Sequence, residues 1–295
     1  MYKYIVKKNK LLSIIKKFRA IYNKKDLPEN LRFLALQSCY TANFLLHELN
    51  SIAYPENCNG GTMIDVGTGL GIIPLILNSQ RKYSNYICID LDNKGLTTAK
   101  RLFEENNFNP ICADAYAMPL KNSIADILFA RYVLQHVSSI ELFLLELKKI
   151  MKSNSKIVII DVEDDMNIFY PELPPETKKV FESYEKFQKQ RGGDRNVSKK
   201  LPYFLFKTGF KNVEIKPFTS TFFVSKKDCS DYFRQTKEAF LVLSAELELV
   251  KDELIAHKYI SPSDFHRGLN NCLVYLNSSD GIFMSKTEFL ITATK

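Results

Sequence analysis

The stretch of sequence that decides the fold is Met63-Ile64-Asp65-Val66-Gly67-Thr68-Gly69-Leu70-Gly71-Ile72-Ile73-Pro74. It predicts a buried strand that ends near an acid and turns through three glycines into a helix. Glycine lets backbone N–H groups approach a ligand without a Cβ in the way, and the helix that follows points its positive end at the same place. The pattern indicates a cradle for a nucleotide-like ligand, although such a turn can also be purely structural.

The order of the following segments strengthens this interpretation. About twenty residues on, Tyr86–Asp90 is a second apolar run that ends in a carboxylate, a group that can accept hydrogen bonds from ribose hydroxyls. Further strand-like runs follow at residues 111–115, 126–136 and 156–161. Because helical segments alternate with these runs, the sequence predicts an α/β fold with a parallel sheet and a ligand at the carboxyl ends of its strands.

Residues 60–215, together with the last strand, resemble the class I S-adenosylmethionine (SAM)-dependent methyltransferases. The closest resemblance is to the small-molecule branch, which holds the ubiquinone and menaquinone C-methyltransferases and many natural-product O- and N-methyltransferases. Asp114 to Leu120 is similar to the family's Asp-Ala-x-x-Leu-Pro-Phe segment, and Arg131 to His136 is similar to its segment after strand four. The resemblance implies a Rossmann-like, seven-stranded, mostly parallel sheet, with SAM as cofactor and S-adenosylhomocysteine (SAH) as product.

The resemblance also implies which residues hold SAM. The turn from Asp65 to Gly71 is expected to hold the methionine part, Asp90 to bind the ribose, and the Asp114-Ala115 pair to lie by the adenine. Arg131 is expected to bind the SAM carboxylate, with a solvated surface arginine as the alternative. The predicted cofactor-binding residues are Asp65, Gly67, Thr68, Gly69, Gly71, Asp90, Leu91, Asp114, Ala115 and Arg131.

The chemistry asks little of individual side chains, because the methyl group of SAM is already activated. Aligning two substrates for in-line displacement can remove roughly 7 to 11 kcal/mol of barrier, whereas a general base adds about 10²- to 10⁴-fold. His136 is the candidate base, since an imidazole can take a proton near neutral pH, and a structural histidine is the alternative. Tyr132, just past strand four, is expected to orient the acceptor or simply to pack.

Two other groups of residues are candidates for contact with the acceptor. The acidic run Asp161 to Asp165 could hold an ammonium group or a divalent metal, with a solvated loop as the default, and no metal ligand is assigned. Seven aromatic residues are expected either to line an apolar pocket or to belong to the core: Phe169, Tyr170, Phe218, Phe222, Phe223, Tyr232 and Phe233.

Composition leaves three classes of function open. The first is methyl transfer to a small metabolite, with a hydroxyl favoured over an amine and an amine over carbon. The second is methyl transfer to RNA or protein, which only the net charge of +8 supports, because the lysines are scattered and strand four carries no Asn-Pro-Pro-Tyr element. The third is a nicotinamide-dependent dehydrogenase or an inactive nucleotide-binding module. The Gly-x-Gly-x-Gly spacing disfavours this class, because it is one residue shorter than the dinucleotide-binding pattern.

The compartment is expected to be cytoplasmic. No apolar stretch is long enough to cross a bilayer, and the N-terminus lacks a signal peptide. The six cysteines form no Cys-x-x-Cys pair and are expected to be reduced: Cys39, Cys58, Cys88, Cys112, Cys229 and Cys272. The basic amphipathic segment from Leu11 to Tyr22 is expected to pack on the core as a lid or homodimer contact, or alternatively to rest on an anionic membrane surface.

The chain is expected to divide as follows. Residues 1–55 form an N-terminal helical lid, 56–165 the SAM-binding core and 166–200 a helical cap segment. Residues 201–217 continue the core, 218–281 form a helical cap inserted before the last strand, and 282–295 supply that strand. The insertion and the N-terminal helices are expected to wall the acceptor pocket.

Overall fold

The structure of the protein is a computed structural model that describes residues 2–54, 60–80, 83–103, 107–224, 231–276 and 281–295; for residues 2–8, 222, 224, 231–240 and 276 it describes the backbone alone. The described residues contain nine α-helices: α1 (Tyr2–Tyr22), α2 (Glu29–Asn50), α3 (Ile72–Ser79), α4 (Asn93–Leu102), α5 (Ile140–Ile150), α6 (Pro175–Gln190), α7 (Leu201–Lys207), α8 (Asp231–Ala256) and α9 (Pro262–Leu276). They also contain eight strands: β1 (Thr62–Val66), β2 (Asn85–Asp90), β3 (Phe108–Cys112), β4 (Ala125–Arg131), β5 (Met151–Val162), β6 (Ile168–Tyr170), β7 (Lys211–Val224) and β8 (Ile282–Thr294).

All eight strands belong to one sheet, in the order β3-β2-β1-β4-β5-β8-β6, with β7 also paired to β8. Strands β1 to β5 pair in parallel, whereas β8 runs antiparallel to β5, β6 and β7. The strand order reverses direction between β1 and β4, and in open α/β sheets such a reversal creates the crevice in which ligands bind. The predicted α/β, mostly parallel fold is confirmed.

The sheet differs from the prediction in strand number and in several boundaries: β4 ends at Arg131 rather than at residue 136, and β5 begins at Met151 rather than at residue 156. It has eight strands rather than seven, because the short strand β6 precedes Pro171 and pairs with β8 over only three residues. Strand β3 ends at Cys112 rather than at residue 115, because its pairing with β2 runs from Phe108 opposite Tyr86 to Cys112 opposite Asp90. Asp114 therefore lies in the loop beyond the strand.

Helices cover both faces of the sheet. On one face α1, α2 and α3 bury an apolar cluster that includes Phe18, Leu45 and Ile76. The apolar side of α1 is thus part of the core, and Lys17 donates to the carbonyl of Leu102 at 3.1 Å. The predicted packing on the core is confirmed, and this apolar side is not available to a membrane surface.

On the opposite face, α5 and α7 pack on the sheet around Phe143, Leu147 and Leu205. Helices α6, α8 and α9 form a separate apolar cluster around Val180, Leu254 and Phe265. This cluster holds the three helices together as a cap beside the carboxyl edge of the sheet.

In the part of the chain that the structure describes, no helix is both long and apolar enough to pass through a bilayer. The cysteines Cys39, Cys88, Cys112 and Cys272 are free thiols. Cys58 and Cys229 lie outside the described residues.

Candidate active site

A cavity of about 500 Å³ opens at the carboxyl ends of β1, β2 and β4. The glycine turn forms one wall, α2 contributes Phe33 and Leu34, and the cap contributes Tyr184 and Glu246. Its volume lies within the range of about 300 to 1,000 Å³ that is typical of small-molecule sites. All ten predicted cofactor-binding residues except Gly71 line this cavity.

The glycine turn is held by β2 and by close packing. The amides of Gly67 and Thr68 both donate to the carbonyl of Ile89, at 2.8 and 3.0 Å. Gly67 has φ +69°, and a Cβ at this position would lie 2.3 Å from Cγ2 of Val133. Gly71 has φ +75° and caps the N-terminus of α3, so it shapes the turn without lining the cavity. Both positions therefore require glycine.

Two carboxylates stand at the ends of neighbouring strands. Asp65 is buried, accepts a hydrogen bond from the Thr68 hydroxyl at 2.6 Å, and has its pKa raised to about 7, chiefly because burial removes water from the charged form. Asp90 accepts from the Gly69 amide at 2.7 Å and from the Asp92 amide at 2.9 Å. These bonds fix the Asp90 carboxylate against the glycine turn, and a carboxylate has lone pairs left for further donors.

The residues that are expected to lie by the adenine, Asp114 and Ala115, lie in the loop after β3. The Asp114 side chain accepts from the Tyr116 amide at 2.9 Å, and Asp114 and Ala115 both border the cavity. Phe143 and Val137 border it as well. Leu91 lies at the rim, 72% exposed. This part of the cavity is therefore lined by both polar and apolar groups.

Arg131 belongs to a charged cluster that sequence reasoning missed. Its guanidinium lies 3.9 Å from the centre of the Tyr132 ring, and the Tyr132 hydroxyl donates to Glu288. Glu48, 2% exposed, has its pKa raised to about 8 by burial and by the charge of Glu288, against the opposing effect of Arg131. Glu48 and Glu288 come from α2 and β8, and no motif marks either.

Tyr132 has φ +57°, a left-handed conformation that is uncommon for a bulky residue. Its hydroxyl is engaged by Glu288, so the side chain borders the cavity while its polar atom is bonded to β8. The Arg131 Nε has no hydrogen-bond partner among the residues that the structure describes.

His136 borders the cavity from the 3₁₀ turn that follows β4. Enclosure between the core and the cap lowers its pKa, because desolvation disfavours the imidazolium. The charge of Glu246 opposes this effect, and so does a hydrogen bond that the imidazole donates to the Gln188 side chain. Gln188, Tyr184 and Glu246 lie on α6 and α8, far from His136 in the sequence.

These residues form a continuous chain of hydrogen bonds. Gln188 Nε2 donates to the Tyr184 hydroxyl at 2.8 Å, and that hydroxyl donates to Glu246 Oε1 at 2.8 Å. Arg195, 6% exposed, donates from Nη1 to Glu246 Oε1 at 2.9 Å and to Gln135 Oε1 at 3.1 Å. The cap is thereby bonded to the turn that carries His136.

The acidic run after β5 is engaged by the protein itself. Asp161 is fully buried and accepts from the amides of Leu134, Gln135 and Val162, while burial raises its pKa to about 7. Three further carboxylates pair with basic side chains, Glu163 and Asp165 with Lys199, and Asp164 with Arg195. Among the described residues, no group of three or more His, Cys, Asp or Glu could hold a metal ion. The solvated-loop interpretation is also wrong for Asp161 and Glu163, which are buried.

The predicted aromatic lining is wrong for the residues that the structure describes. Tyr170 and Phe223 are 72% and 59% exposed, because they lie at the outer end of the sheet. Phe169 lines a different cavity, and Phe218 packs on the core edge-on to His47. The side chain of Phe222 and those of Tyr232 and Phe233 lie outside the described residues.

The cavity suits a nucleoside that carries an amino-acid arm. Asp90 stands where a ribose could donate to it, the glycine turn leaves no Cβ at Gly67, and Arg131 supplies a cation for a carboxylate. A nicotinamide dinucleotide would place a second phosphate over the turn, and the turn lacks the longer spacing that such ligands use.

Comparison with known proteins agrees with this geometry. Residues 64–159 match the family model described as a methyltransferase domain. No curated protein matches the chain.

Several solved structures share the fold. The chain is 17% identical to phosphoethanolamine N-methyltransferase 2 of Haemonchus contortus in complex with SAM, with a TM-score of 0.53, covering 94% of this chain and 60% of that one. It is 14% identical to the YcgJ protein of Bacillus subtilis, with a TM-score of 0.51, covering 85% and 96% of the two chains. It is 16% identical to the [4+2]-cyclase SpnF, with a TM-score of 0.50, covering 88% and 81%. At these identities the likeness shows the fold alone.

The fold, the cavity and the domain match together define a class I SAM-dependent methyltransferase. The enzyme uses SAM as its cofactor, and the nicotinamide alternative is set aside by the domain match.

Proposed function

We propose that the enzyme transfers a methyl group from SAM to a hydroxyl or amine of a small-molecule metabolite, by in-line displacement in a pocket closed by helical caps. The observation that carries this proposal is the cavity itself. It runs from the glycine turn to Tyr184 and Glu246 of the cap, and it contains the candidate base His136. A pocket enclosed on both sides suits a small acceptor better than a polymer.

The residues that line the cavity divide between cofactor and acceptor. We assign Asp65, Gly67, Thr68 and Gly69, with Gly71 shaping the turn, to the methionine part of SAM, and Arg131 to its carboxylate. Asp90 and Leu91 are assigned to the ribose, and Asp114 with Ala115 to the adenine. Tyr132 is assigned to holding Arg131 in place, because its hydroxyl is taken by Glu288 and its ring lies against the guanidinium.

His136 is assigned as the general base. Its lowered pKa keeps the imidazole neutral at neutral pH, so one ring nitrogen is available to accept a proton. The other nitrogen is engaged by its hydrogen bond to Gln188, and His136 lines the cavity. SAM supplies an activated methyl group, and the protein's own part is to align the acceptor and take its proton.

The proposed division of the chain follows from these roles. Residues 1–55 act as a lid through α2, and 56–165 with 201–217 and 282–295 form the cofactor-binding core. Residues 166–200 with 218–281 form the cap, apart from β6 and the second half of β7, which belong to the sheet. Contacts between α2 and α8 and the bonds of Arg195 and Glu246 support a cap that closes on the core.

The alternative is methyl transfer to RNA or protein, which the net charge of +8 favours. Incubation of the protein with methyl-tritiated SAM and separate small-molecule, RNA and protein fractions of a cell extract distinguishes the two. We expect label in the small-molecule fraction, with a sample lacking the enzyme as the control. Label confined to the RNA or protein fraction would contradict the proposal.

A further inference from the structure

We propose that the methyl acceptor is an amine and that Glu246 is the residue that binds its ammonium group in the cavity. This inference rests on the proposed transfer to a small molecule and specifies its substrate class. It assigns to α8 a recognition group that no sequence motif marks.

One oxygen of Glu246 is held by the protein and the other is free. Oε1 accepts from the Tyr184 hydroxyl at 2.8 Å and from Arg195 Nη1 at 2.9 Å. Within the described part of the chain, Oε2 has no hydrogen bond or ion pair, although Glu246 lines the cavity and its side chain is only 19% exposed. Arg195 is therefore a positioning residue that holds Glu246 with Oε2 available to a ligand.

The local charge is negative. Arg195 is paired with two carboxylates at once, Glu246 and Asp164, so the three groups carry a net charge of −1. Two other titratable groups line this end of the cavity, and both are neutral: burial raises the pKa of Tyr184, and desolvation lowers the pKa of His136. The charge of Arg191, which also acts on His136, is paired with Glu253. A cation entering here meets an uncompensated carboxylate in a partly desolvated site, where such an interaction is strong.

His136 and Glu246 line the same cavity, and the charge of Glu246 raises the His136 pKa against the effect of burial. An ammonium bound to Oε2 thus lies near the base that must remove its proton. In the reaction the nitrogen gives a proton to His136, its lone pair forms the N–CH3 bond, and the S–CH3 bond breaks with its electrons kept by sulfur as a neutral thioether.

A hydroxyl acceptor would use this arrangement less fully. A neutral O–H can donate to Oε2, but it does not neutralise the net charge of the cluster, whereas an ammonium does both. The observations therefore favour nitrogen over oxygen as the accepting atom.

The test compares two SAM analogues by calorimetry, so it needs no knowledge of the natural acceptor. Sinefungin carries an ammonium-bearing carbon where SAM carries its methyl sulfonium, and SAH carries no charge there. We expect sinefungin to bind the full-length protein about tenfold more tightly than SAH. Glu246→Gln should remove this advantage and leave SAH affinity unchanged.

The matched control is Glu253→Gln. Glu253 lies on the same helix and pairs with Arg191 at 2.9 Å, but it does not line the cavity. This variant should leave both affinities unchanged. Sinefungin binding no tighter than SAH to the wild-type protein would overturn the inference without any variant, and so would an equal effect of the two substitutions. Failure of SAH itself to bind would instead overturn the proposed function.

Discussion

At the scale of single residues, Gly67 is constrained from two sides. The sequence pattern favours glycine at this position because a ligand must approach the backbone. In the structure, Val133 also occupies the space that a Cβ would need. The two demands are independent, since one concerns the ligand and the other concerns packing between the turn and the segment after β4.

Gly67→Ala should therefore abolish measurable SAH binding and lower the melting temperature. The new Cβ would lie 2.3 Å from Val133 Cγ2, and the φ of +69° adds a strain of about 1 kcal/mol for a residue other than glycine. Calorimetry with SAH and thermal unfolding are the measurements.

Gly60→Ala is the matched control for this substitution, because Gly60 has φ +101° and no atom of the described residues lies within 4 Å of a Cβ there. It should lower stability slightly and leave SAH affinity intact. Combining Gly67→Ala with Val133→Ala should restore part of the lost stability. If the double variant is no more stable than Gly67→Ala alone, the clash with Val133 is not the cause.

His136 shows how a residue's role depends on its neighbours. Sequence pointed to this histidine as a base or as a structural residue with no means of choosing. Desolvation lowers its pKa, its ring donates a hydrogen bond to Gln188, and it lines the cavity, and these observations support the proposed role as a base. Those are the properties that a base requires near neutral pH.

At the scale of secondary-structure elements, α2 is the wall that covers the glycine turn. Leu34 lies 3.7 Å from the position of a Cβ on Gly69, and Phe33, Gln37 and Ser38 also line the cavity. The helix has a periodic apolar side, so its existence was predictable, but its position over the cavity depends on packing against α1, α3 and α8.

Binding of SAH should slow amide hydrogen exchange in the first half of α2, residues 29–40. A ligand in the cavity adds contacts to Phe33, Leu34 and Gln37. Local unfolding of α2 would break these contacts, so the bound ligand makes that unfolding rarer. Hydrogen–deuterium exchange with mass spectrometry measures this. None of the described side chains of helix α9 lines the cavity, so this helix serves as the internal control. Equal slowing in α2 and α9 would indicate a global effect and contradict the proposed lid.

At the scale of the whole molecule, three buried carboxyls link folding to pH. Burial raises the pKa of Glu48 to about 8 and those of Asp65 and Asp161 to about 7. A group whose pKa is higher in the folded than in the unfolded protein stabilises the fold at low pH, and this contribution is lost as pH rises through the folded pKa.

The free energy of unfolding should therefore fall between pH 5 and pH 8, in the absence of ligand. Glu48→Gln mimics the protonated carboxyl and should reduce that fall by on the order of 2 to 4 kcal/mol. Urea unfolding at the two pH values is the measurement. Glu253→Gln removes one partner of an exposed ion pair and should leave this decrease in the free energy of unfolding unchanged. Parallel wild-type and Glu48→Gln profiles would show that Glu48 does not titrate in this range.

Much of the fold and part of the site could be read from the sequence, because they depend on local demands. The strand, the three-glycine turn and the helix of residues 62–79 follow from hydrophobic runs and from backbone conformations that favour glycine. Asp65, Asp90 and Asp114 could be assigned to one edge of the sheet because parallel strands present their carboxyl ends together.

The other half of the site was decided only by the tertiary structure. Three helices, one loop and one strand supply Glu48, Gln188, Arg195, Glu246 and Glu288. Each acquires its role from a partner more than fifty residues away in the chain. Such contacts leave no period or spacing in the sequence, because they are set by how the cap and α2 pack against the sheet. Residues near the glycine turn could thus be predicted for the cofactor, whereas the groups that face the acceptor required the assembled molecule.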